Sequence, residues 1–442
     1  MIEPGSIELP DFGASEAAIV CSVQSAPVGL NLDLRQRCRS CEAPLRLSMI
    51  DLGASPVAND LVEPARFAHA EATYPLQVLV CEHCWLAQTL DVVAAEKLFR
   101  ADYVYFSSHS TSWLAHAARY VEEMCAALAL QPGATVVEIA SNDGYLLQYA
   151  KARGLRTLGV EPTDGPAEAA RAKGIETVGR FFGREAALDL LAQGWAADLM
   201  PANNVLAHVP NLHDFVAGFA VLLKPQGVAT FEVQHLLRLL ERSQFDTIYH
   251  EHFSYLSLLA AETLFARHDL RVFDVEALET HGGSFRLFVC RRDAAHPPSA
   301  RLAAMRAEES AAGLDRVHTY AAWGRQVAAL KMDLLEVLIG LKRQGARIAA
   351  YGAPAKGNTL LNYCGIGRDF IDFTVDRAPS KQNRFLPGSR IPVLGVEAVT
   401  QARPDYLLVL PWNLRDEILE QMAFIRNWGG RFILPAPKPE IV

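Results

Sequence analysis

Two Cys-x-x-Cys pairs, Cys38-Arg-Ser-Cys41 and Cys81-Glu-His-Cys84, are separated by 39 residues near the start of the chain. Each knuckle brings two thiolates to one side of an ion, and the intervening segment must fold back to close the cage. Four thiolates leave no open position, so the pattern predicts a structural zinc site made of Cys38, Cys41, Cys81 and Cys84. The competing readings are two unrelated thiol pairs or a redox Cys-x-x-Cys. The latter normally opens a helix in a βαβ unit, and neither pair is placed that way. His83, inside the second knuckle, is a spare donor. The chain has eight cysteines in 442 residues, too few for a disulfide scaffold. Cys21, Cys125, Cys290 and Cys364 are expected to be packing residues.

A zinc ribbon raises the question of nucleic acid. Between Cys38 and Cys84 there are three arginines, no lysine and six carboxylates, and the whole chain carries a net charge of −8. That balance argues against phosphate-backbone binding and against an anionic membrane surface. No run approaches the roughly 18–20 apolar residues of a membrane span. The opening MIEPGSIELPDF has no basic n-region or apolar core, so a cytoplasmic protein is expected. Residues 1–35, broken by Pro4, Gly5, Pro10, Gly13 and Pro27, read as an irregular extension.

Beyond the zinc segment, helical and strand patterns alternate, which predicts an α/β architecture. The boundaries expected are a zinc-binding domain at 36–99, a Rossmann-like domain at 100–298 and a second Rossmann-like domain at 299–442. In the middle domain a helical period over 112–130 precedes a β-branched strand, Thr135–Ile139, which contains Glu138. The polar turn Ser141-Asn142-Asp143-Gly144 leads into a helix from Tyr145, and the next strand ends at Glu161. This is the nucleotide-binding half of a doubly wound sheet, with an acid placed for a ribose diol. The turn has one glycine and no open nest for a pyrophosphate. S-adenosylmethionine (SAM), with a ribose and no phosphates, therefore suits it better than NAD; an ordinary strand–turn–helix is the alternative. Asn203, Asn204 and His208 follow the carboxyl end of another strand. The pair 271–275 and 284–290, joined through His281-Gly282-Gly283, reads as a terminal antiparallel unit.

The densest chemistry lies in Phe245-Asp246-Thr-Ile-Tyr249-His250-Glu251-His252-Phe253-Ser254-Tyr255. Three readings compete for it: a metal site lacking a third convincing ligand, a hydrogen-bonded structural loop, and a general base oriented by a carboxylate beside a tyrosine donor. A second cluster, Tyr103 to Ser110, could wall the same cleft. In the third domain a helix over 316–343 ends at Gly345. The segment Tyr351-Gly352-Ala-Pro-Ala-Lys356-Gly-Asn358 reads as a strand and turn able to cradle phosphates. The strand 370–376 ends in Asp376, with Arg377, Lys381 and Arg390 beside it. A purely architectural domain is the alternative.

Taken in order, the doubled Cys-x-x-Cys, YVYFSS, EIASNDGYLL, ANNVLAHVP, FDTIYHEHFSYLS, HGGSFR, YGAPAKGNTLLNYC and DRAPSKQ resemble the nucleotide-sugar C-methyltransferases, over residues 36–442. The closest likeness is to those acting at C-3 of dTDP-4-keto-deoxyhexoses. The resemblance implies a SAM-binding middle domain and a C-terminal domain holding the nucleotide-sugar. It implies His252 as the base, with Tyr249, Glu251, Tyr103 and His208 around it. The SAM residues would be Glu138, Ser141, Asn142, Asp143, Gly144, Glu161, Asn203 and Asn204. Sugar-nucleotide contacts would come from Tyr351, Gly352, Lys356, Asn358, Asp376, Lys381 and Arg390. The expectation is thus a monomeric C-methyltransferase with SAM, structural zinc and a dTDP-4-keto-deoxysugar, and no nucleic-acid or membrane partner. The alternatives are methylation of another position or another small molecule, and a zinc-ribbon nucleic-acid binder.

Overall fold

A computed structural model describes residues 36–90, 92–93, 98 and 106–442. The expected extension at 1–35 and Tyr103 lie outside the described residues. No helix among them is long and apolar enough to cross a membrane.

Three sheets organise the chain. The first is antiparallel, in the order Leu47–Ser55, Tyr74–Val80, Ala87–Thr89, Ser254–Tyr255. Its fourth strand comes not from the cysteine segment but from far downstream: Ala87 pairs Tyr255 and Gln88 pairs Ser254.

The second sheet has seven strands, in the order Leu270–Leu278, Ser284–Arg291, Leu223–Gln234, Ala197–Asn203, Thr135–Ile139, Arg156–Val160, Thr177–Val178. The run Thr-Val-Val-Glu-Ile at 135–139 is buried throughout, as a central parallel strand covered on both faces must be. Ser284–Arg291 runs antiparallel to both of its neighbours. The helix expected from Tyr145 starts at Leu147. The turn absorbs the extra residues: Gly144 N–H donates to the Ser141 carbonyl (3.0 Å), while Asn142 and Gly144 take positive φ (48° and 73°).

The third sheet is also seven-stranded. Its central strands Pro392–Leu394, Thr374–Val375, Ile348–Tyr351, Tyr406–Val409 and Arg431–Leu434 are parallel, and two short antiparallel strands close the edges. Ile348–Tyr351 has its sequence successors on opposite sides, so the topological switch point lies at its carboxyl end. The strand expected over 370–376 is only two residues long.

A helix of 27 residues, Val317–Arg343, buries Tyr320, Trp323, Val327, Leu330, Leu334, Leu338 and Leu341. That stripe shares one apolar core with Met49, Ile50 and Leu76 of the first sheet, Phe245 and Ile248, and Ile348 and Leu360 of the third. The segment that resembles a catalytic base loop is therefore wedged where all three parts meet.

Candidate active site

The four cysteine sulfurs lie within 4.8 Å of one another. Cys38 and Cys84 are 3.4 Å apart, and Cys41 and Cys81 are 3.3 Å apart. These separations are far beyond a disulfide bond and close to the edges of a small tetrahedron. Backbone N–H groups of Ser40 and His83 point at the Cys38 and Cys81 sulfurs, both at 3.4 Å. The Cys84 thiol is pushed up by the adjacent Cys38 sulfur and by burial. Four sulfurs this close, three of them on buried cysteines and the fourth half-buried, cannot all ionise unless a cation joins them, so the donor set fits zinc. Among the described residues this is the one such metal-ligand cluster, and it does not include His83.

The cage is tied to the downstream loop. Gln88 Nε2 donates to the Cys38 sulfur (3.3 Å), and Gln88 Oε1 accepts from Arg39 N–H (2.9 Å). Arg39 Nη1 donates to the Phe253 carbonyl (2.8 Å), and Thr89 Oγ1 donates to the His252 carbonyl (3.0 Å).

At the carboxyl ends of the central strands, Asn142 N–H donates to Glu161 Oε2 (3.0 Å), and Asn142 Oδ1 accepts from Ser107 N–H (2.8 Å). Glu161 also accepts from Thr163, and burial raises its pKa. Both Thr163 bonds fall on Oε1, so Oε2 is the oxygen that retains acceptor capacity. Burial pushes Glu138 well above the carboxylate range, with Glu161 and Asp143 adding to the effect. Asp143 Oδ2 accepts from Lys173 (3.1 Å) and from Ser108. Ser141 Oγ, Asp143 Oδ1 and Asn203 Oδ1 are buried without a partner. Orphaned polar atoms gathered at the carboxyl ends of Rossmann strands match a zwitterionic nucleoside, so the residues fit SAM.

Across from this turn, His252 Nδ1–H donates to the Thr247 carbonyl (2.8 Å). That bond fixes the tautomer and leaves Nε2 as the basic nitrogen. Nε2 accepts from the Tyr249 hydroxyl (2.8 Å). Burial and the neighbouring His208, whose ring centre is 4.7 Å away, hold the His252 pKa well below the usual histidine value. His208 Nδ1–H donates to the Glu251 carbonyl (2.7 Å), and burial lowers its pKa too. The Glu251 carboxyl is raised by burial and accepts from Asn59 of the first domain (2.9 Å). His250 points away, toward the Pro75 carbonyl at 3.3 Å. The arrangement can accept a proton at Nε2 in a desolvated cleft.

The third domain meets the 245–253 segment through its switch point. Lys356 Nζ donates to Asn413 Oδ1 (2.8 Å) and lies 5.8 Å from the Trp412 ring centre. Burial lowers its pKa, partly offset by Asp246. Trp412 Nε1 donates to Asp246 Oδ2 (2.7 Å), and Thr359 Oγ1 donates to the Ile248 carbonyl (2.9 Å).

Other residues expected at the sugar-nucleotide site are engaged within the protein. Asn358 is buried, donating to the Ala58 carbonyl (2.7 Å). Arg390 donates to the Phe67 and His69 carbonyls and to Glu71. Asp376 accepts from the N–H groups of Ala353 and Ala378, and Lys381 donates to the Ala353 carbonyl (3.0 Å). Gly352 sits where a Cβ would meet Pro411 Cδ at 2.7 Å, so its glycine serves close packing of the turn. Tyr351 donates to Gln421 (3.0 Å) and lines a cavity of about 470 Å³ with Arg377, Val396, Gln421 and Met422.

Sequence reasoning passed over Asn59, Trp113, Asp246, His281, Trp412 and Asn413 as site residues. Trp412 and Asn413 directly follow the strand Tyr406–Val409, so the carboxyl-end rule could have found them. Asn59 carried no such signal.

The chain matches family models over most of its length: a zinc binding domain at residues 38–99, a methyltransferase domain at 113–275 and a C-methyltransferase C-terminal domain at 279–437. It is 36% identical over 406 residues to the C-methyltransferase NovU of Streptomyces niveus, covering 92% of this chain and 96% of that protein. Two solved structures are similar to part of the chain. A SAM-dependent methyltransferase from Mesorhizobium loti has 16% identity and a TM-score of 0.32, covering 40% of this chain and 100% of that one. Magnesium protoporphyrin IX methyltransferase from Synechocystis PCC 6803 has 14% identity and a TM-score of 0.31, covering 40% and 83%.

Proposed function

The chain belongs to the SAM-dependent C-methyltransferase family with an N-terminal zinc-binding domain, and from that premise we propose that it methylates C-3 of a dTDP-linked 4-keto-deoxysugar. The 4-keto group acidifies the neighbouring C-3 hydrogen. His252 Nε2 takes that proton, and the C–H electron pair becomes an enolate with its charge on the C-4 oxygen. SAM, when bound at the 141–144 turn, supplies an electrophilic methyl. The observation carrying this reading is the His252 tautomer: Nδ1–H is spent on Thr247, and burial keeps Nε2 unprotonated.

Tyr249 holds the base and must yield Nε2 to the substrate. Glu251 and His208 brace the loop through the bond between the His208 ring and the Glu251 carbonyl. Tyr103 is proposed as a further wall of the cleft. Glu138, Ser141, Asn142, Asp143, Gly144, Glu161, Asn203 and Asn204 form the SAM cradle. Of the third-domain residues, Tyr351 and Lys356 are best supported as sugar-nucleotide contacts, because Tyr351 lines an open cavity at the switch point and Lys356 is a half-buried cation just beyond the same strand end. The working domain boundaries are 36–99, 100–298 and 299–442, in a monomer.

The test is a panel of nucleotide-linked 4-keto-sugars incubated with SAM, read by mass spectrometry and NMR for the methylated carbon. Solvent-deuterium exchange at C-3 without SAM reports the enolate step alone. Methylation at oxygen or at another carbon would overturn the assignment.

A further inference from the structure

The turn Thr280–Gly283 joins the last two strands of the central sheet on its carboxyl-end face. His281 there has φ 53° and ψ 24°, in the left-handed region, and is followed by Gly282 at φ 86° and Gly283 at φ 116°. Three successive positive φ values are easy for glycine and unfavourable for a histidine. The turn is nevertheless held tightly. Gly282 O accepts from Arg242 (2.8 Å) and Gln244 (2.7 Å), and Gly283 O accepts from His235 N–H (3.1 Å). Thr280 Oγ1 donates to the fully buried Glu232 (2.9 Å). A Cβ at 282 or 283 would meet Gln244 Nε2 at 2.6 Å or Arg238 Cβ at 2.8 Å. Backbone strain kept in place by so many neighbours points to a use for the side chain.

The imidazole is the one part of this turn that the core does not claim. The residue is exposed, and partial desolvation by the surrounding protein, with Lys356, His116 and His208, lowers its pKa to about 4 against the pull of Glu232. Asn204, which bonds to the His281 ring, and His208, whose ring centre is 4.7 Å from that of His252, both follow the strand Ala197–Asn203, so the two histidines flank the same strand end. Asn204 Nδ2 donates to His281 Nε2 (3.2 Å), which makes Nε2 the acceptor and puts the proton on Nδ1. Trp113, 5.4 Å away edge-on, flanks the ring. Nδ1–H has no protein acceptor among the described residues.

We propose that His281 is a second catalytic residue, its neutral Nδ1–H donating a hydrogen bond to the substrate's C-4 oxygen as that oxygen becomes an enolate. This rests on the 4-keto-sugar reading above. As His252 breaks the C-3–H bond, the electron pair moves into the C-3–C-4 bond and the carbonyl pair moves onto oxygen. The charge arrives within reach of a donor already oriented for it. It leaves again when the new C–C bond forms and the carbonyl returns, so His281 neither gains nor loses a proton. A neutral imidazole can polarise a carbonyl in this way, and a preorganised donor needs no rearrangement.

The experiment uses full-length protein and the dTDP-4-keto-sugar that the wild type methylates. His281→Gly removes the donor and relieves the left-handed strain, so its thermal transition should equal or exceed that of the wild type. Both kcat and the SAM-independent C-3 exchange rate should fall by about 10²–10³-fold, the typical effect of losing one oxyanion donor. SAM affinity should be retained. His281→Asn, which tolerates the same φ and carries an N–H, should recover part of both rates. Turnover and exchange near wild type in the glycine variant would overturn the inference, as would a loss confined to SAM binding. If the glycine variant did not fold, the asparagine variant would decide: exchange slowed more than SAM binding supports the role, and unchanged exchange refutes it. A wild type that neither methylates nor exchanges any 4-keto-sugar would overturn the substrate reading and this inference together. An active wild type with an equally active glycine variant would overturn this inference alone.

Discussion

Lowering the pH separates a desolvated base from an ordinary histidine. An unperturbed imidazole with a pKa near 6.5 is only about 9% neutral at pH 5.5, so a rate depending on it would fall roughly tenfold per unit below neutrality. His252 is held well below that value by burial first and by His208 second. Its neutral form therefore persists through the window in which an ordinary histidine is lost. The acid limb of kcat/KM, which reports the free enzyme, is expected to stay flat from pH 8 to below 6. His252→Ala should reduce turnover by about 10²–10⁴-fold, equivalent to about 2.7–5.5 kcal/mol of transition-state stabilisation. SAM binding, read by calorimetry, should survive in the variant. An acid limb with a midpoint near 6.5, or turnover retained by His252→Ala, would refute the base assignment.

Stability moves the other way over the same range, and the sign follows from proton counting. A histidine whose folded pKa is depressed binds fewer protons folded than unfolded, so the fold weakens as pH drops below 6.5. The His252 contribution is lost progressively as the pH falls from 6.5 toward its depressed folded value. Glu138, Glu161, Asp246 and Glu251 act oppositely, because burial raises each of them in the fold. They take up protons on folding as the pH falls through their raised values, which offsets part of the loss. A melting curve at each pH distinguishes a falling rate from a falling folded fraction.

Cys84→Ser should abolish the stoichiometric zinc expected at one ion per chain and take turnover with it, while SAM binding persists; metal analysis with calorimetry checks both. Arg286 is 1% exposed and bridges Glu232 (2.9 Å) and Glu276 (2.7 Å). Arg286→Met leaves a buried carboxylate short of a partner and should cost about 3–5 kcal/mol in a urea titration. Gly159→Ala would put a Cβ 2.4 Å from Ser141 Oγ, beneath the proposed SAM turn. The overpacking strain of about 1–3 kcal/mol should appear as weakened SAM affinity, with zinc content unchanged.

Local signals in the chain were read where the chemistry is local. The cysteine knuckles, the buried run 135–139 and the stripe on the helix 317–343 each declare themselves within one segment. The cleft does not, because its members meet only through tertiary contacts. Asn59 reaches Glu251 across 192 positions, and Trp412 reaches Asp246 across 166. The turn at 351–358 shows the same limit. A glycine-bearing turn looks alike in sequence whether it faces a ligand or packs on Pro411. Arg390 likewise counts as a free cation until Phe67, His69 and Glu71 are seen to occupy it.

The proposed enolate route calls on no metal, yet the zinc cage is tied to the loop that carries the proposed base, and the topology supplies a reason. Residues 249–253 have no regular structure of their own: they run from a turn into the two-residue strand Ser254–Tyr255. So short a strand cannot hold a register by itself. It is held as the fourth strand of the cysteine domain's sheet, by the pairing of Ala87 and Gln88, with Thr89 and Arg39 gripping the His252 and Phe253 carbonyls. Gln88 joins that edge to the Cys38 sulfur. A domain of this size has little core to stiffen such an edge, whereas four metal–thiolate bonds fix Cys38 and Cys84 within a few tenths of an ångström. General base catalysis is sensitive to displacements of that order. If His252 is the base as proposed, the zinc domain is the rigid shelf on which it is aimed, and Gln88→Ala, which cuts the shelf from the cage while sparing all four ligands, should lower C-3 exchange at undiminished zinc content. Equal exchange in that variant would show that the cage and the base are neighbours without being coupled.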